Sequence, residues 1–394
     1  TYGFVHRTFL EYFCASEVVY RFEKTRKLSL DELKTEVFGK HWADESWQEA
    51  LCLIAGLIAG KFTGKLIEFL IEQDGAAQNF SNLFLAAKCL NEVRERKEIA
   101  AVESQLLERL KELTNYYLNY YDEAYYGEEP PFVAKIRTQA VSAIAFTWKD
   151  DPKTLPWLKQ LAQFDDDSDV RQAAVQELAR GWKDEPETLP ILKKLAQYDN
   201  DLAVWQAAAQ ELARGWKDDR EILPWLKQRA KSDDCMVQYV AVQELARGWK
   251  NDPETLPWLK QMAQSNDNWS VPWAAVQELA QGWKDDPETL PILKQMAQYD
   301  GNWAVRYAAV QKLAQGWKDE PGIFELLGDI AINYPFKRLY KSQDNPRKTA
   351  LEIMLKQYPY RPKTLEILRD RFANDPDEKV RQFAQKKLTE LEKL

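Results

Sequence analysis

The sequence holds two histidines, His6 and His41, and four cysteines, Cys14, Cys52, Cys89 and Cys235. A zinc site needs three or four such ligands converging at short spacing, and no CxxC or paired-histidine pattern supplies them. Nucleophilic catalysis needs a hydroxyl or thiol beside a base, and no motif sets up that pair. A G-x-x-x-x-G-K-[ST] phosphate cradle is also missing. The carboxylates are many, but they gather in short turns such as Asp165 to Asp169, where helix capping uses them. The expectation is a chain without catalytic residues, without a metal and without a cofactor of its own.

The chemistry that the spacing does favour is recognition. Tyr239, Trp273 and Tyr307 recur at intervals of 34 residues, at a place where earlier repeats carry Gln172 and Gln206. Trp269 and Trp303 stand four residues before Trp273 and Tyr307. With Trp205 and Arg247 they make the candidate partner surface, because aromatic and Arg side chains dominate interface energies. Lateral packing between neighbouring helices is the alternative use of the same rings.

The elements that position these residues follow from the repeat itself. Trp148, Trp182, Trp216, Trp249, Trp283 and Trp317 are separated by 34, 34, 33, 34 and 34 residues, and all but the first follow a Gly. Such self-similarity marks a stacked array. Each unit parses into two helices. The first is announced by Asp-Pro or Glu-Pro, with the acid as expected cap; a second Pro (Pro156, Pro190, Pro224, Pro257, Pro291) must lie in the opening turn, which makes the preceding Thr the alternative helix start. The second helix places Val170, Ala174, Val175, Leu178 and Ala179 on one arc and Gln172, Gln176 and Arg180 on the opposite one. The Gly is expected to take a left-handed conformation past the helix end, with the Trp packed back as a buried staple between units. Divergent pairs are expected at Phe324 to Ile332 with Arg347 to Gln357, and at Thr364 to Phe372 with Glu378 to Leu391. The run from Glu98 to about Tyr121 would pair with Ile136 to Trp148.

The two-helix unit with Asp-x-Val-Arg opening its second helix resembles the HEAT family over roughly Phe132 to Leu394. The resemblance implies an all-α α-solenoid of antiparallel helix pairs with a period of about 34. It also implies a ladder between repeats carried by Asp169 and Arg171, interrupted where Trp205, Gln238 and Pro272 replace the Arg and restored at Arg306.

Residues 1–131 lack the repeat and read as a separate, irregular helical region, with 132–394 as the array. Ala50 to Gly60 is apolar but too short to span a bilayer, so a buried helix is expected and no membrane association. The Tyr-rich run Tyr116, Tyr117, Tyr120, Tyr121, Tyr125 and Tyr126 would mark the junction. The segments F-V-H-R-T-F-L-E-Y-F-C-A (Phe4 to Ala15) and S-W-Q-E-A-L-C-L-I-A-G-L-I-A-G (Ser46 to Gly60) resemble the end of the winged-helix region of NACHT-type signalling NTPases. That resemblance implies a longer parent protein binding ATP or ADP, an upstream nucleotide-binding domain as partner in cis, and a diphosphate-sensing role for His6. It implies a sensor and autoinhibitory end of a signalling protein, cytoplasmic and plausible in bacterial defence, with a protein or other large ligand as partner. A free-standing HEAT-like adaptor is the alternative. A nucleic-acid-binding solenoid using Arg180, Arg214 and Arg247 is disfavoured by a net charge of −8.

Overall fold

The computed structural model describes residues 7–116, 131–265, 269–336 and 345–391, and every regular element among them is helical. The chain falls into two compact units, Thr1–Gly215 and Trp216–Leu394.

The first unit opens with α1 (Arg7–Val19), α2 (Leu30–Glu32), α3 (Gly39–His41), α4 (Gln48–Leu57), α5 (Gly60–Ile71), α6 (Ser81–Asn91) and α7 (Ala100–Thr114). Two π-helical turns, Tyr20–Lys24 and Leu33–Phe38, interrupt this region. Helix α4 buries Ala50, Leu51, Cys52, Ile54 and Ala55, as the apolar run requires. Among the described residues no helix is long and apolar enough to cross a membrane. Helix α8 (Pro131–Thr147) packs on α7, and its Ile136, Ala140 and Ile144, with Trp148, share a core with Leu106 and Leu110. Arg96 ties the two sides together, donating to Glu103 at 3.1 Å and to the Thr147 carbonyl at 3.0 Å. The composition change near residue 131 therefore falls inside one packed core. Two regular pairs complete this unit, α9 (Thr154–Phe164) with α10 (Ser168–Gly181) and α11 (Thr188–Tyr198) with α12 (Leu202–Gly215).

The second unit continues with α13 (Ile222–Arg229) and α14 (Cys235–Gly248), α15 (Thr255–Ala263) and α16 (Ser270–Gly282), and α17 (Thr289–Tyr299) and α18 (Trp303–Gly316). It ends with α19 (Ile323–Asn333) and α20 (Pro346–Gln357), then α21 (Pro362–Asn374) and α22 (Glu378–Leu391), the divergent pairs expected from sequence. Within each unit the pairs stack so that second helices lie against second helices, α10 against α12 and α14 against α16 against α18.

Local chemistry explains the pairs, with two departures from expectation. The acid of Asp-Pro does not cap the first helix. It closes a turn just before it: Asp151 Oδ1 accepts from the Lys153 N–H at 2.8 Å and Asp252 Oδ1 from the Glu254 N–H at 2.8 Å. The helix itself starts at the following Thr, the alternative start that the second Pro required, at Thr154, Thr188, Thr255 and Thr289, so that Pro lies in the opening turn where no hydrogen bond is lost. Second helices are capped conventionally. Asp167 accepts from Asp169 and Val170, Asp234 from Met236 and Val237, and Asn302 from Ala304. In α10 the expected apolar arc is buried, while Gln172 and Gln176 are half-buried and Arg180 is exposed.

The Gly-Trp stop is the second departure. Gly181, Gly248, Gly282 and Gly316 are the last helical residues and none has positive φ; among the described glycines only Gly322 does, at 89°, in the tight turn before α19. The Trp is the cap, as where the Trp283 N–H reaches the Leu279 carbonyl at 3.0 Å. Trp148 is buried, but Trp182, Trp249, Trp283 and Trp317 are only half-buried. Their outer edges meet a lysine of the preceding repeat: Lys250 Nζ sits 5.9 Å from the Trp283 ring and Lys284 Nζ 5.7 Å from the Trp317 ring. The lysine stem lies over the glycine, yet a Cβ at Gly282 would meet only Lys250 Cε, at 3.8 Å. Gly282→Ala should therefore be accepted and should stabilise the second unit by about 0.4–1 kcal/mol through the unfolded chain. A lower melting temperature for that variant would show that the glycine is required there.

Links between successive repeats run through Arg171 as the resemblance implies, with the acid supplied by Asp199. Arg171 pairs with Asp199 of the next repeat at 3.4 Å and donates to the Asp165 carbonyl at 2.8 Å; Arg137 pairs with Asp167 in the same way. The aspartate comes from the loop before the second helix because the guanidinium of Arg171 projects back along that loop. In the second unit Gln238 takes over: its Nε2 donates to the Ser232 carbonyl at 2.5 Å and its Oε1 accepts from Ser270 Oγ at 2.8 Å. Arg306 again donates to a loop carbonyl, that of Asp300, with its guanidinium 4.9 Å from the Tyr334 ring.

Candidate recognition surface

Tyr239, Trp273 and Tyr307 occupy equivalent positions on α14, α16 and α18, two residues past the buried arc's leading Val, and all three are half-buried. Trp269 and Trp303 lie one helical turn before Trp273 and Tyr307, so they stand on the same face; they remain 45% and 38% exposed. Tyr239 and Trp273 touch across helices, with centroids 5.1 Å apart, and Trp269 at the start of α16 meets Trp273 of the same helix edge-on at 6.5 Å. One turn further along, Gln243 Nε2 donates to the Tyr239 hydroxyl at 3.0 Å and Gln311 Nε2 to the Tyr307 hydroxyl at 2.7 Å. The second unit thus carries a row of aromatic side chains whose inner edges pack laterally and whose outer edges reach solvent. Both readings of the sequence pattern are present in the same residues.

Trp205 does not join this row. It lies in the first unit at the position that Arg171 occupies in the preceding repeat, and it is 5% exposed among the residues packed around α12. A side chain one residue past the leading Val points toward the repeat core, which is why the indole is buried there. Arg247 is half-exposed and ion-paired, its Nη2 being 3.1 Å from Glu278 on the next second helix. His6 and Tyr117, Tyr120, Tyr121, Tyr125 and Tyr126 lie outside the described residues. Tyr116 meets Phe80 edge-on at 5.0 Å, and its carbonyl accepts from Arg137 at 2.7 Å.

The sequence reading missed a row of buried glutamates. Glu177, Glu244 and Glu278 are buried and Glu211 is nearly so, all seven residues past the leading Val. Glu177 accepts from Ser142 Oγ at 2.8 Å and from Arg180 at 3.0 Å. Their recurrence in Q-E-L-A was the available signal, but a wheel centred on the apolar arc places them at its margin. Burial raises the pKa of the Glu211 carboxyl above 4.5, and the nearby Arg214 opposes that shift only in part. A raised folded-state value means that ionising Glu211 weakens the fold. Its favourable contribution is complete below the unfolded value and is lost as pH rises through the folded one. Glu211→Gln should raise the melting temperature at pH ~7, and the gain should vanish below pH 4.5; an equal gain at both pH values would rule out ionisation as the cause.

His41 lies flat on Trp47, centroids 3.9 Å apart. A hydrogen bond to Cys52, together with burial, pushes the Cys89 thiol up, away from thiolate chemistry. Among the described residues no three His, Cys or carboxylate side chains gather to hold a metal ion.

Residues 133–213 and 223–314 match the family model for HEAT repeats. No curated protein matches the chain. Among solved structures the chain is similar to the X-ray structure of YibA from Escherichia coli, with 19% identity over 79% of this chain and 98% of that one and a TM-score of 0.38. The family match falls on the same helix pairs that the 34-residue period and the buried arcs define. Over those residues the helix pairs have the pattern of HEAT repeats.

Proposed function

We propose that this protein is a non-catalytic, cytoplasmic recognition scaffold that binds a protein partner through the outer edges of Tyr239, Trp273 and Tyr307, with Trp269, Trp303 and Arg247 beside them. The observation that carries the reading is the exposure of Trp269 and Trp303 on the face where the half-buried aromatics line up, at positions that repeat architecture fills equally well with Gln. Large rigid rings left half in water bury much area on binding at little entropic cost. A photo-cross-linking amino acid at Tyr307 should give a discrete protein adduct in cells, and one at Glu185 should not. Adducts to nucleic acid, or none, would overturn the reading. Nucleic acid has little electrostatic support, since Arg180, Arg214 and Arg247 are each next to a glutamate.

A finer reading places this scaffold at the regulatory end of a NACHT-like NTPase. Its support is the pattern from His6 to Ala15 together with the apolar side of α1, where Phe9, Leu10, Tyr12 and Phe13 are about half exposed. Such a face is suited to an upstream nucleotide-binding domain in cis. In a protein carrying that domain with ATP or ADP bound, His6→Ala should loosen diphosphate binding and raise basal signalling. Unchanged nucleotide affinity would remove His6 from the mechanism.

A further inference from the structure

In the first unit the wet face of α8 and α10 and the facing side of α6 enclose a groove of about 950 Å³. Its lining differs from the aromatic row of the other unit. Gln78, Asn79, Gln139, Gln172 and Gln176 face it, and none of the five makes a side-chain hydrogen bond among the described residues. Gln48, also in the wall, is already engaged by Lys88 Nζ at 2.7 Å. A surface with this many uncommitted carboxamides offers donors and acceptors in equal measure and no net charge. Of the charged residues in the lining, Glu45 and Asp169 balance Lys88 and Lys135.

The ligand chemistry follows from that balance. A phosphate polymer would need a row of unpaired cations. An extended polypeptide backbone alternates N–H and C=O without charge, and each carboxamide can meet both. The spacing also fits. Gln172 and Gln176 are one turn apart, about 6 Å along α10, and one edge of an extended chain repeats every two residues, about 6.7 Å. Helix α8 lines the groove from Lys135 to Thr147, a rise of about 18 Å, which holds about five or six extended residues. Phe146 faces the same groove and is 72% exposed, at a place where the regular repeats carry Arg or Gln. A ring so exposed, in a wall that also holds Phe84 and Ala143, is a seat for one apolar side chain.

We infer that this groove binds an extended, uncharged polypeptide segment, held along its backbone by Gln172, Gln176 and Gln139 and anchored by one apolar side chain against Phe146. The site is separate from the aromatic row and does not depend on it. The test is selection of random peptides displayed on phage against the full chain, followed by affinity measurement of the selected peptides. Binding peptides should carry one large apolar residue in a neutral context. Combining Gln172→Ala with Gln176→Ala should weaken them at least about tenfold, as should Gln172→Glu, which keeps the size but removes the donors. Phe146→Ala and N-methylation of a central peptide amide should do likewise, while melting temperature and the response to salt stay nearly flat. Failure to select any peptide, or affinity that falls steeply with salt, would overturn the proposal. So would selected peptides that lose binding with Trp303→Ala but not with the glutamine variants, because they would then belong to the aromatic row.

Discussion

Arg347→Ala should destabilise the second unit by about 3 kcal/mol, the cost of taking its bidentate partner from a buried carboxylate that keeps only the longer contact with Arg371. Arg347 and Asp375 are 4% and 1% exposed. The guanidinium grips the carboxylate at both ends, Nε to Oδ2 and Nη2 to Oδ1, each at 3.0 Å, and its remaining arm donates to the Tyr334 carbonyl at 2.7 Å. Asp375 also accepts from the Asp377 N–H at 2.9 Å and lies 3.6 Å from Arg371 Nη1, so its charge stays in place when Arg347 is removed. For a unit of this size the loss corresponds to a fall in melting temperature of about 10 °C. Removing both charges together, as Arg347→Met with Asp375→Leu, should restore much of it. Lys387→Ala, which breaks an exposed pair with Glu390, should move the melt by about 0.5 kcal/mol or less. A fall below about 1 kcal/mol for Arg347→Ala would mean that water reaches the pair.

Trp303→Ala and Trp273→Ala should each weaken binding of the cross-linked partner about thirtyfold, the factor for roughly 2 kcal/mol lost at an aromatic anchor. Their effects on folding should differ. Trp303 is the more exposed of the two, so its truncation should cost about 0.5 kcal/mol or less in stability. Trp273 packs against Tyr239 and Trp269, so its loss should lower the melt by about 1–2 kcal/mol as well. Titration and melting of both variants separate recognition from packing. Intact binding with a shifted melt in both would assign the row to lateral packing alone.

The array was legible in the sequence because a helix pair imposes two periodicities at once. The 34-residue spacing of Gly-Trp fixes the repeat, and Val170, Ala174, Val175, Leu178 and Ala179 fix which face is buried. The divergent pairs near Phe324 and Thr364 were found by the same arcs. What failed depended on where a backbone turns rather than on which face is apolar. Asp-Pro can cap a helix or close the turn before it, and both read alike in one dimension. Glycine at a helix end can be left-handed or helical, and only the Lys250 and Lys284 stems lying across the next repeat show why the helical form suffices. Arg171 reaches Asp199 because the next repeat has Ala203 at the place of Asp169, and reach across a repeat depends on how far one helix is offset from the next. The five uncommitted carboxamides of the groove could be counted in sequence, but Gln78 and Asn79 line the same groove as Gln172 only because the irregular region folds back beside α8.

The links between repeats have a consequence for the order of the array. Arg171 needs an acid five residues before the next leading Val, which Asp199 supplies, whereas Gln238 needs a hydroxyl one residue before it, which Ser270 supplies. The corresponding residue before Val305 is Ala304. Modules that look interchangeable by their shared Gly-Trp and Q-E-L-A segments are therefore keyed to their neighbours. Placing the Val305 module directly after the Val237 module would strand the amide of Gln238 in a buried joint, at a cost of about 1–3 kcal/mol. Near-identical repeats invite strand-slipped genes and exchange of modules between chains, and a keyed joint opposes both by making the wrong successor fit worse than the right one.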